Sequence, residues 1–280
     1  MGNIIASDLD GTLFYPKEKK LMFPEGNEQF LRRFIGGGGR FVAISSRSLT
    51  FKKTMVDRLG FDFDFIGCDG CVIEIDGKVV EENFIDPALA LPFIDELCRD
   101  YKPNMIISTT PEHPMICTKS IVGPITKFGY WAYMHVQGVY REPYIRDDAL
   151  FRKSIADGQC YKLMILIGVS KSAKKRAERI TPELIAKYPQ FHFAWLNEFI
   201  EVTPKGCSKA TGLSKYLDSV QSREDNILVI GDSGNDVPMF EAYYEQSFCM
   251  SHSPVSVKKR AKHIVDSFSD LEGYICPLED

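Results

Sequence analysis

The chain has 280 residues, of which 44% are hydrophobic and 26% charged, with a formal net charge of −4 and a pI near 5.8. This length allows a large core and predicts two domains rather than one. The acidic balance, without a basic stripe, excludes a general attraction for nucleic acid. No apolar run approaches the ~20 residues of a membrane span, and no secretory signal precedes the eight scattered cysteines. We expect a cytoplasmic protein with reduced thiols and no membrane partner.

The first predicted element is a short strand at residues 3–7, which runs directly into two acids, Asp8 and Asp10, followed by Gly-Thr. Residues i and i+2 of a strand point the same way, so both acids can face one site at the carboxyl edge, where open α/β sheets bind ligands. A carboxylate can attack phosphorus to form an aspartyl-phosphate. A second carboxyl can protonate the leaving oxygen and then activate water. We assign Asp8 as the nucleophile and Asp10 as the acid/base.

This acid pair needs a cation, because two carboxylates would otherwise repel an anionic phosphate. Mg²⁺ suits carboxylate and phosphate oxygens better than a softer metal would. The sequence therefore predicts a magnesium site beside Asp8.

The next segment alternates as a βαβαβ unit. The predicted elements are helix 25–35, strand 40–45, helix 48–59 and strand 63–67, followed by a hairpin over residues 72–80. Strand 40–45 leads into Ser45, Ser46 and Arg47, and a hydroxyl at this edge can donate to a phosphoryl oxygen. We assign Ser45 and Ser46 to phosphate binding and leave the role of Arg47 open.

A C-x-x-C segment, Cys68-Asp69-Gly70-Cys71, follows the third predicted strand. No second such pair completes a zinc site, and Asp-Gly is typical of a turn. We interpret the segment as a turn rather than as a metal or redox site.

Composition becomes more aromatic and proline-rich beyond residue 83, which predicts a domain boundary there. We expect residues 1–83 and 203–280 to form an α/β core and residues 84–202 to form an inserted α+β domain. The inserted elements are helix 87–100, strands 104–109 and 161–168, helix 172–187, and strands 191–195 and 198–203. The core continues with helix 209–219, strand 227–231, helix 236–242, strand 246–250 and helix 254–262.

Four motifs occur in an order that resembles the haloacid dehalogenase superfamily of phosphohydrolases, and they span most of the chain. They are Asp8-Leu9-Asp10-Gly11-Thr12, the strand ending at Ser45, the segment from Pro204 to Lys209, and Gly231-Asp232-Ser233-Gly234-Asn235-Asp236. The position of the insertion resembles the type IIB, or Cof-like, subfamily. The resemblance implies a Rossmann-like parallel-sheet core and an α/β cap that covers the active site and selects the substrate.

The resemblance also implies a metal site made of Asp8, Asp232 and the backbone carbonyl of Asp10. Asp236 would orient Lys209 or a metal-bound water. An Asx turn that caps a helix would account for Asp236 alone, but not for all four motifs in order.

For the phosphate, the resemblance implies Lys209, which opens a predicted helix, and Asn235. Lys205 in the preceding loop is the competing candidate. Two positions depart from the pattern of many relatives, because Ser46 replaces a glycine and Asp69 replaces an asparagine.

The substrate is less defined by the sequence. Aromatic and guanidinium groups can bind a sugar or a second phosphate, and the inserted segment contains Trp131, Tyr133, His135, Tyr140, Arg141 and Arg146. Ser251-His252-Ser253 stands where relatives often have Gly-Asn-Ala, so one interpretation places His252 near the site. The other interpretation is a solvated loop histidine.

These observations predict a Mg²⁺-dependent phosphatase acting on a small phosphorylated metabolite such as a sugar phosphate. A phosphomutase would use the same aspartyl-phosphate and return the phosphoryl group to the bound sugar. A non-catalytic phosphate-binding protein is the third alternative, but it would not need the intact set of Asp8, Asp10, Lys209 and Asp232. The sequence leaves the oligomeric state open.

Overall fold

The computed structural model describes residues 4–18, 20–118, 138–168, 170–196, 199–223 and 226–275. The contacts divide the chain into two compact units. The core unit comprises Met1–Ser46, Lys52–Glu81 and Ser208–Asp280, and the inserted unit comprises Arg47–Phe51 and Glu82–Cys207. Each unit contains a buried apolar cluster of its own.

Strands and helices are numbered here in chain order over the described residues. The strands are β1 Ile4–Ser7, β2 Arg40–Ile44, β3 Asp64–Gly67, β4 Val72–Ile75, β5 Lys78–Glu82, β6 Met105–Thr109, β7 Ile116–Cys117, β8 Ile145–Arg146, β9 Lys162–Leu166, β10 Phe191–Leu196, β11 Phe199–Pro204, β12 Ile227–Gly231, β13 Ser247–Met250 and β14 His263–Val265. The α-helices are α1 Glu25–Gly36, α2 Leu49–Leu59, α3 Pro87–Glu96, α4 Asp148–Ala156, α5 Lys171–Lys187, α6 Lys209–Ser219, α7 Val237–Ala242 and α8 Val255–Lys258.

The core unit is built on an eight-stranded sheet in the order β14-β13-β12-β1-β2-β3-β4-β5. The strands from β14 to β3 are parallel, and β4 runs antiparallel to β3. β1 pairs with β2 on one side and β12 on the other, and its four residues are all buried. A short aliphatic strand suits this central position, because helices cover both faces of such a sheet.

Different side chains bury the two faces of this sheet. One face packs against α6 and α7, with Ala6, Val42 and Leu213 in one buried cluster. On the other face four rings connect the strands with α1 and with the C-terminal segment: Phe30, Phe41, Phe63 and Phe268. The predicted α/β core with a mainly parallel sheet is confirmed.

The inserted unit contains a six-stranded sheet in the order β10-β11-β9-β6-β7-β8. Its pairs are antiparallel except for β7 and β8, which are parallel. Helices α3, α4 and α5 contribute Phe93, Phe151 and Leu184 to one buried cluster with strand residues such as Leu163 and Ile165. This mixture of a largely antiparallel sheet and helices is an α+β architecture.

Some boundaries differ from the sequence predictions. The helix expected over residues 87–100 is α-helical only to Glu96, and Leu97–Tyr101 continue as a wider π-helical turn. Helix α4, which Asp147 caps by accepting from two backbone N–H groups, was not predicted. Neither were β7, β8 and β14, because strands of two or three residues carry too little periodicity to identify.

None of the helices in the described part of the chain combines the length and the apolar character needed to cross a lipid bilayer.

Candidate active site

Asp8 lies at the carboxyl edge of the core sheet because β1 pairs with β12. Its N–H donates to the carbonyl of Ile230 at 2.9 Å, one residue beyond the end of β1. The chain then turns tightly through Leu9–Leu13, where Gly11 has a φ of +86°. Asp8 is 5% exposed, whereas Asp10 is open to solvent. The two predicted catalytic acids therefore lie in one turn but in different environments.

Lys209 is the first residue of α6, and its ammonium joins two carboxylates. Ser208 begins the helix with a capping box, in which its hydroxyl accepts from the N–H of Thr211. The Nζ of Lys209 lies 2.6 Å from Oδ1 of Asp8 and 2.6 Å from Oδ1 of Asp236. The Lys209 side chain is 1% exposed. The competing candidate, Lys205, is exposed to solvent.

Asp236 has a second function, which is to shape the turn after β12. Its Oδ2 accepts the N–H groups of Asp232 at 3.0 Å and Ser233 at 2.9 Å. A side chain at Gly231 would collide with it, since an added Cβ would lie 2.4 Å from Cγ of Asp236. Asp236 therefore fixes the Asp232 backbone and contacts Lys209 with its other oxygen, which joins the turn to α6.

The turn after β1 holds the carboxylate of Asp232. The hydroxyl of Thr12 donates to its Oδ1 at 3.2 Å. An added Cβ at Gly11 would lie 2.5 Å from its Oδ2, so this glycine is needed both for its φ and for the space. The D-x-D-G-T motif thus positions a carboxylate that is more than 200 residues away in the sequence.

Negative charge dominates this group. Burial raises the pKa of Asp8 well above its usual range; Lys209 opposes this effect, while Asp236 and Asp232 add to it. Burial, with the nearby Asp236, raises the pKa of Asp232 to about 7. Burial would lower the pKa of Lys209, but Asp236, Asp8 and Asp69 outweigh it and raise that pKa. The positive charge of Lys209 does not balance these carboxylates.

A metal ion fits this arrangement. One carboxylate oxygen from each of Asp8, Asp232 and Asp236 lies within 4.8 Å of the others. Hard oxygen donors of this kind are those that Mg²⁺ and Ca²⁺ prefer, and a divalent cation would relieve the repulsion that raises the carboxyl pKa values. Both oxygens of Asp236 already accept hydrogen bonds, so Asp8 and Asp232 are the side chains that could hold a metal ion here.

The predicted phosphate-binding side chains meet a residue that the sequence predictions treated only as part of a turn. Ser45 is 2% exposed at the end of β2. The hydroxyl of Ser46 donates to Asp69 at 2.8 Å, and the amide of Asn235 donates to Asp69 and to Ser46 at 3.2 Å each. The pairing of β2, β3 and β12 with their neighbours brings these three loops together, which no local motif reveals.

His252 lies beside an aromatic ring and a carboxylate of the core unit. His252 stacks on Tyr15 with ring centroids 3.9 Å apart, and its Nε2 lies 3.8 Å from Oδ2 of Asp232. Burial and the charge of Lys258 lower its pKa. His252 thus lies near the acidic group, as one of its two interpretations predicted.

Arg47 groups with the inserted unit. Its guanidinium donates to the carbonyl of Tyr140 at 2.9 Å and pairs with Glu142 at 3.0 Å. It also lies over the ring of Phe51. These contacts give Arg47 a structural function in that unit.

The other candidate substrate residues are only partly described. Tyr140 is 2% exposed, Arg141 is exposed and Arg146 is half-buried in β8. Trp131, Tyr133 and His135 lie outside the described residues. Cys68 and Cys71 of the C-x-x-C segment are both buried.

Two known proteins are similar in sequence. Pyridoxal phosphate phosphatase YbhA of Escherichia coli is 22% identical over 267 residues, which cover 94% of this chain and 92% of the relative. A Streptococcus pyogenes protein named as a bifunctional phosphatase/peptidyl-prolyl cis-trans isomerase is 34% identical over 86 residues. That match covers 31% of this chain and spans only 18% of the relative.

The fold is also similar to that of a solved haloacid dehalogenase-like hydrolase from Bacteroides thetaiotaomicron. The TM-score is 0.75 and the sequence identity is 20%. The match covers 98% of this chain and 100% of the solved one. The family model of haloacid dehalogenase-like hydrolases matches residues 5–274. With nearly the whole chain matched and the motif residues gathered at one edge of the sheet, this protein belongs to the haloacid dehalogenase-like hydrolases.

Proposed function

We propose that this protein is a Mg²⁺-dependent phosphatase that hydrolyses a small phosphorylated metabolite through an aspartyl-phosphate on Asp8. The observation that supports this best is the buried ammonium of Lys209, which lies 2.6 Å from both Asp8 and Asp236. A fixed cation beside a carboxylate orients it and favours the approach of an anionic substrate. A structural ion pair would not need the further carboxylate of Asp232 beside it.

The residues divide the reaction between them. Lys209 contacts Oδ1 of Asp8, so the other oxygen, Oδ2, is the one we assign to the attack on phosphorus. Asp10, exposed in the same turn, would protonate the leaving oxygen and then take a proton from the attacking water. Ser45 and Lys209 would stabilise charge on the phosphoryl oxygens. Ser46 and Asn235 are the further predicted phosphate contacts.

Asp8, Asp232 and the backbone carbonyl of Asp10 would hold the Mg²⁺. When bound, the ion supplies positive charge that allows an anionic phosphate to approach these carboxylates. Asp236 would keep Asp232 in place through the hydrogen bond it accepts from the Asp232 N–H.

Family membership supports a small phosphorylated metabolite as the substrate class. We assign the inserted segment, residues 84–202, the function of the substrate-selecting cap, and we propose a sugar phosphate as the substrate. The Escherichia coli relative is named for pyridoxal phosphate, another small phosphomonoester. Both kinds of compound therefore belong in a substrate screen.

The experiment is phosphate release from a panel of sugar phosphates, pyridoxal 5′-phosphate, nucleotides and a chromogenic phosphate ester, with and without Mg²⁺. Wild type is compared with Asp8→Asn and with Asp57→Asn, which removes an equal charge from an exposed position on α2. We expect Mg²⁺-dependent release that Asp8→Asn abolishes and Asp57→Asn leaves unchanged.

Activity that survives in Asp8→Asn would contradict the covalent mechanism. Interconversion of sugar phosphate isomers without phosphate release would instead identify a phosphomutase. Phosphate binding without turnover of any compound would favour a non-catalytic function.

A further inference from the structure

Asp69 occupies a rigid position in the turn after β3. Its backbone is left-handed, with φ +57° and ψ +38°, and Asp69 as a whole is 6% exposed. Its N–H donates to the carbonyl of Ser45 at 3.0 Å. The next residue, Gly70, packs so closely on the backbone of Ser208 that an added Cβ would lie 2.2 Å from its carbonyl oxygen. The backbone at Asp69 is therefore held in place from both sides of the turn.

Asp69, Ser46 and Asn235 form a closed triangle of hydrogen bonds. The Ser46 hydroxyl lies 2.8 and 3.0 Å from the two oxygens of Asp69. The Asn235 amide nitrogen is 3.2 Å from both Ser46 and Asp69. On its other side, the amide oxygen of Asn235 accepts from the hydroxyl of Ser233 at 2.6 Å. That bond fixes the amide so that its NH₂ group faces Asp69.

Two of the donors that the motifs assign to a phosphate therefore donate to an anion that belongs to the protein. A carboxylate accepts hydrogen bonds from hydroxyl and amide groups as a phosphoryl oxygen does, and charge-assisted bonds of this kind are stronger than neutral ones. An incoming phosphate must compete with Asp69 for Ser46 and Asn235.

Asp69 also acts through its charge. A phosphate that reached Ser46 and Asn235 would lie beside this carboxylate, because the Ser46 hydroxyl is 2.8 Å and the Asn235 amide nitrogen 3.2 Å from it. A negative charge there offsets part of the attraction between Lys209 and a phosphate dianion. The hydrogen bonds and the charge act in the same direction, toward weaker phosphate binding.

We propose that Asp69 is a positioning residue that weakens the affinity of the site for phosphate, by holding Ser46 and Asn235 and by opposing Lys209. This inference rests on the proposed function, because it assumes that the site binds a phosphoryl group.

The test is the affinity of the Mg²⁺-loaded protein for inorganic phosphate, measured by calorimetry for wild type and Asp69→Asn. Asparagine keeps the shape and removes the charge. We expect the dissociation constant to fall about tenfold, since the change removes one unit of repulsion at short range. KM for the substrate should fall by a similar factor while kcat changes by less than about threefold, a division that a loss of structure would not produce.

Asp57→Asn is the matched control, because it removes the same charge from an exposed position and should change neither constant. Ser46→Gly should lower the melting temperature more in wild type than in the Asp69→Asn background, because only in wild type does the Ser46 hydroxyl donate to a carboxylate. A phosphate affinity of Asp69→Asn that is equal to or weaker than that of wild type would overturn the inference.

The two proposals fail in different ways. If wild type hydrolyses phosphate esters but Asp69→Asn binds phosphate no more tightly than wild type, the inference is refuted and the proposed function is not. Wild type that neither binds phosphate nor hydrolyses any ester would refute the proposed function and the inference with it.

Discussion

Lys209 of the core unit and Lys162 of the inserted unit are both 1% exposed, yet they lie in different surroundings. Lys209 begins a helix at the carboxyl edge of a parallel sheet and contacts Asp8 and Asp236. Lys162 lies within β9 and pairs with Glu201 of β11 at 2.7 Å. Glu201 is opposite Met164, two residues along β9 from Lys162, so both side chains point to the same face.

The comparison shows that burial of a charge does not by itself identify a functional site. The register of two neighbouring strands brings Lys162 and Glu201 together as a cation with an anion. At Lys209, separate loops bring several carboxylates to one cation, and burial, together with the charge of Asp236, raises the pKa of Asp232 to about 7. Such unbalanced charge is costly for folding and is expected where a metal ion and a phosphate bind.

Replacing Lys209 with methionine should have the largest effect. The change leaves Asp8 and Asp236 without their cation and removes the charge that would stabilise the phosphoryl oxygens. We expect kcat/KM for phosphate ester hydrolysis to fall by about 10³-fold, the upper end of the range for loss of one fixed electrostatic group. Phosphate release by the folded variant measures this, and a residual activity near a tenth of wild type would contradict it.

The same substitution at Lys162 should affect stability instead. Glu201 would remain buried without this partner, which costs about 3–5 kcal/mol, whereas kcat should stay within about threefold of wild type. Urea unfolding measures the loss. The double variant Lys162→Met, Glu201→Leu should recover most of it, because no uncompensated charge remains. A catalytic loss in Lys162→Met as large as that in Lys209→Met would remove the distinction between the two lysines.

Asp232→Asn should reveal the cost of the excess charge through its pH dependence. The pKa of Asp232 is about 7 in the folded protein and 3.8 as its ordinary value, so between those values the folded state holds a proton that the unfolded state has released. The contribution of Asp232 to the free energy of unfolding is therefore fully present below pH ~4 and is lost as the pH rises toward 7. The metal-free variant should therefore gain stability over metal-free wild type between pH 5 and 7, by at most about 1.4 kcal/mol per pH unit.

Melting temperatures in a chelator at pH 5, 6, 7 and 8 test this expectation. A difference between variant and wild type that does not change with pH would show that the carboxylates are balanced without a metal.

Gly11→Ala and Gly38→Ala form a matched pair with a smaller effect. Their φ values are +86° and +87°, but an added Cβ at Gly11 meets the carboxylate of Asp232, and at Gly38 it meets no atom within 4 Å. Both should lose about 1 kcal/mol through backbone strain. Only Gly11→Ala should also weaken Mg²⁺ binding, by roughly tenfold, because it displaces a ligand. Calorimetry with Mg²⁺ distinguishes them, and equal affinities would show that Asp232 can move without loss.

Sequence patterns predicted the elements with long and regular periodicity. β1, β2, β12 and α6 begin and end within about two residues of their expected positions, because aliphatic runs and helix caps are local signals. The inserted unit was predicted less completely. Its helix α4 was not predicted. β7 and β8 have two residues each, so only pairing with their neighbours defines them.

At the site, the motifs named residues that the structure brings close together, but they did not predict what those residues contact. Ser46 and Asn235 were assigned to a phosphate, and in the structure both donate to Asp69. Asp69 itself was interpreted as a turn residue, which is correct for its left-handed backbone but gives no indication of its carboxylate contacts. A turn signal describes the backbone of four residues and contains no information about side chains that arrive from other loops.

The sequence by itself determined the family, the order of the core elements and the identity of the acids and the lysine at the site, since these depend on short motifs and local periodicity. Only the tertiary structure decided the balance of charge around Lys209, the hydrogen-bond triangle at Asp69 and the buried pair of Lys162 and Glu201. The physical reason is distance along the chain. Lys209 and Asp8 are 201 residues apart. Their contact exists because β12, the strand that follows α6, pairs in parallel with β1, so the start of α6 lies at the edge where β1 ends.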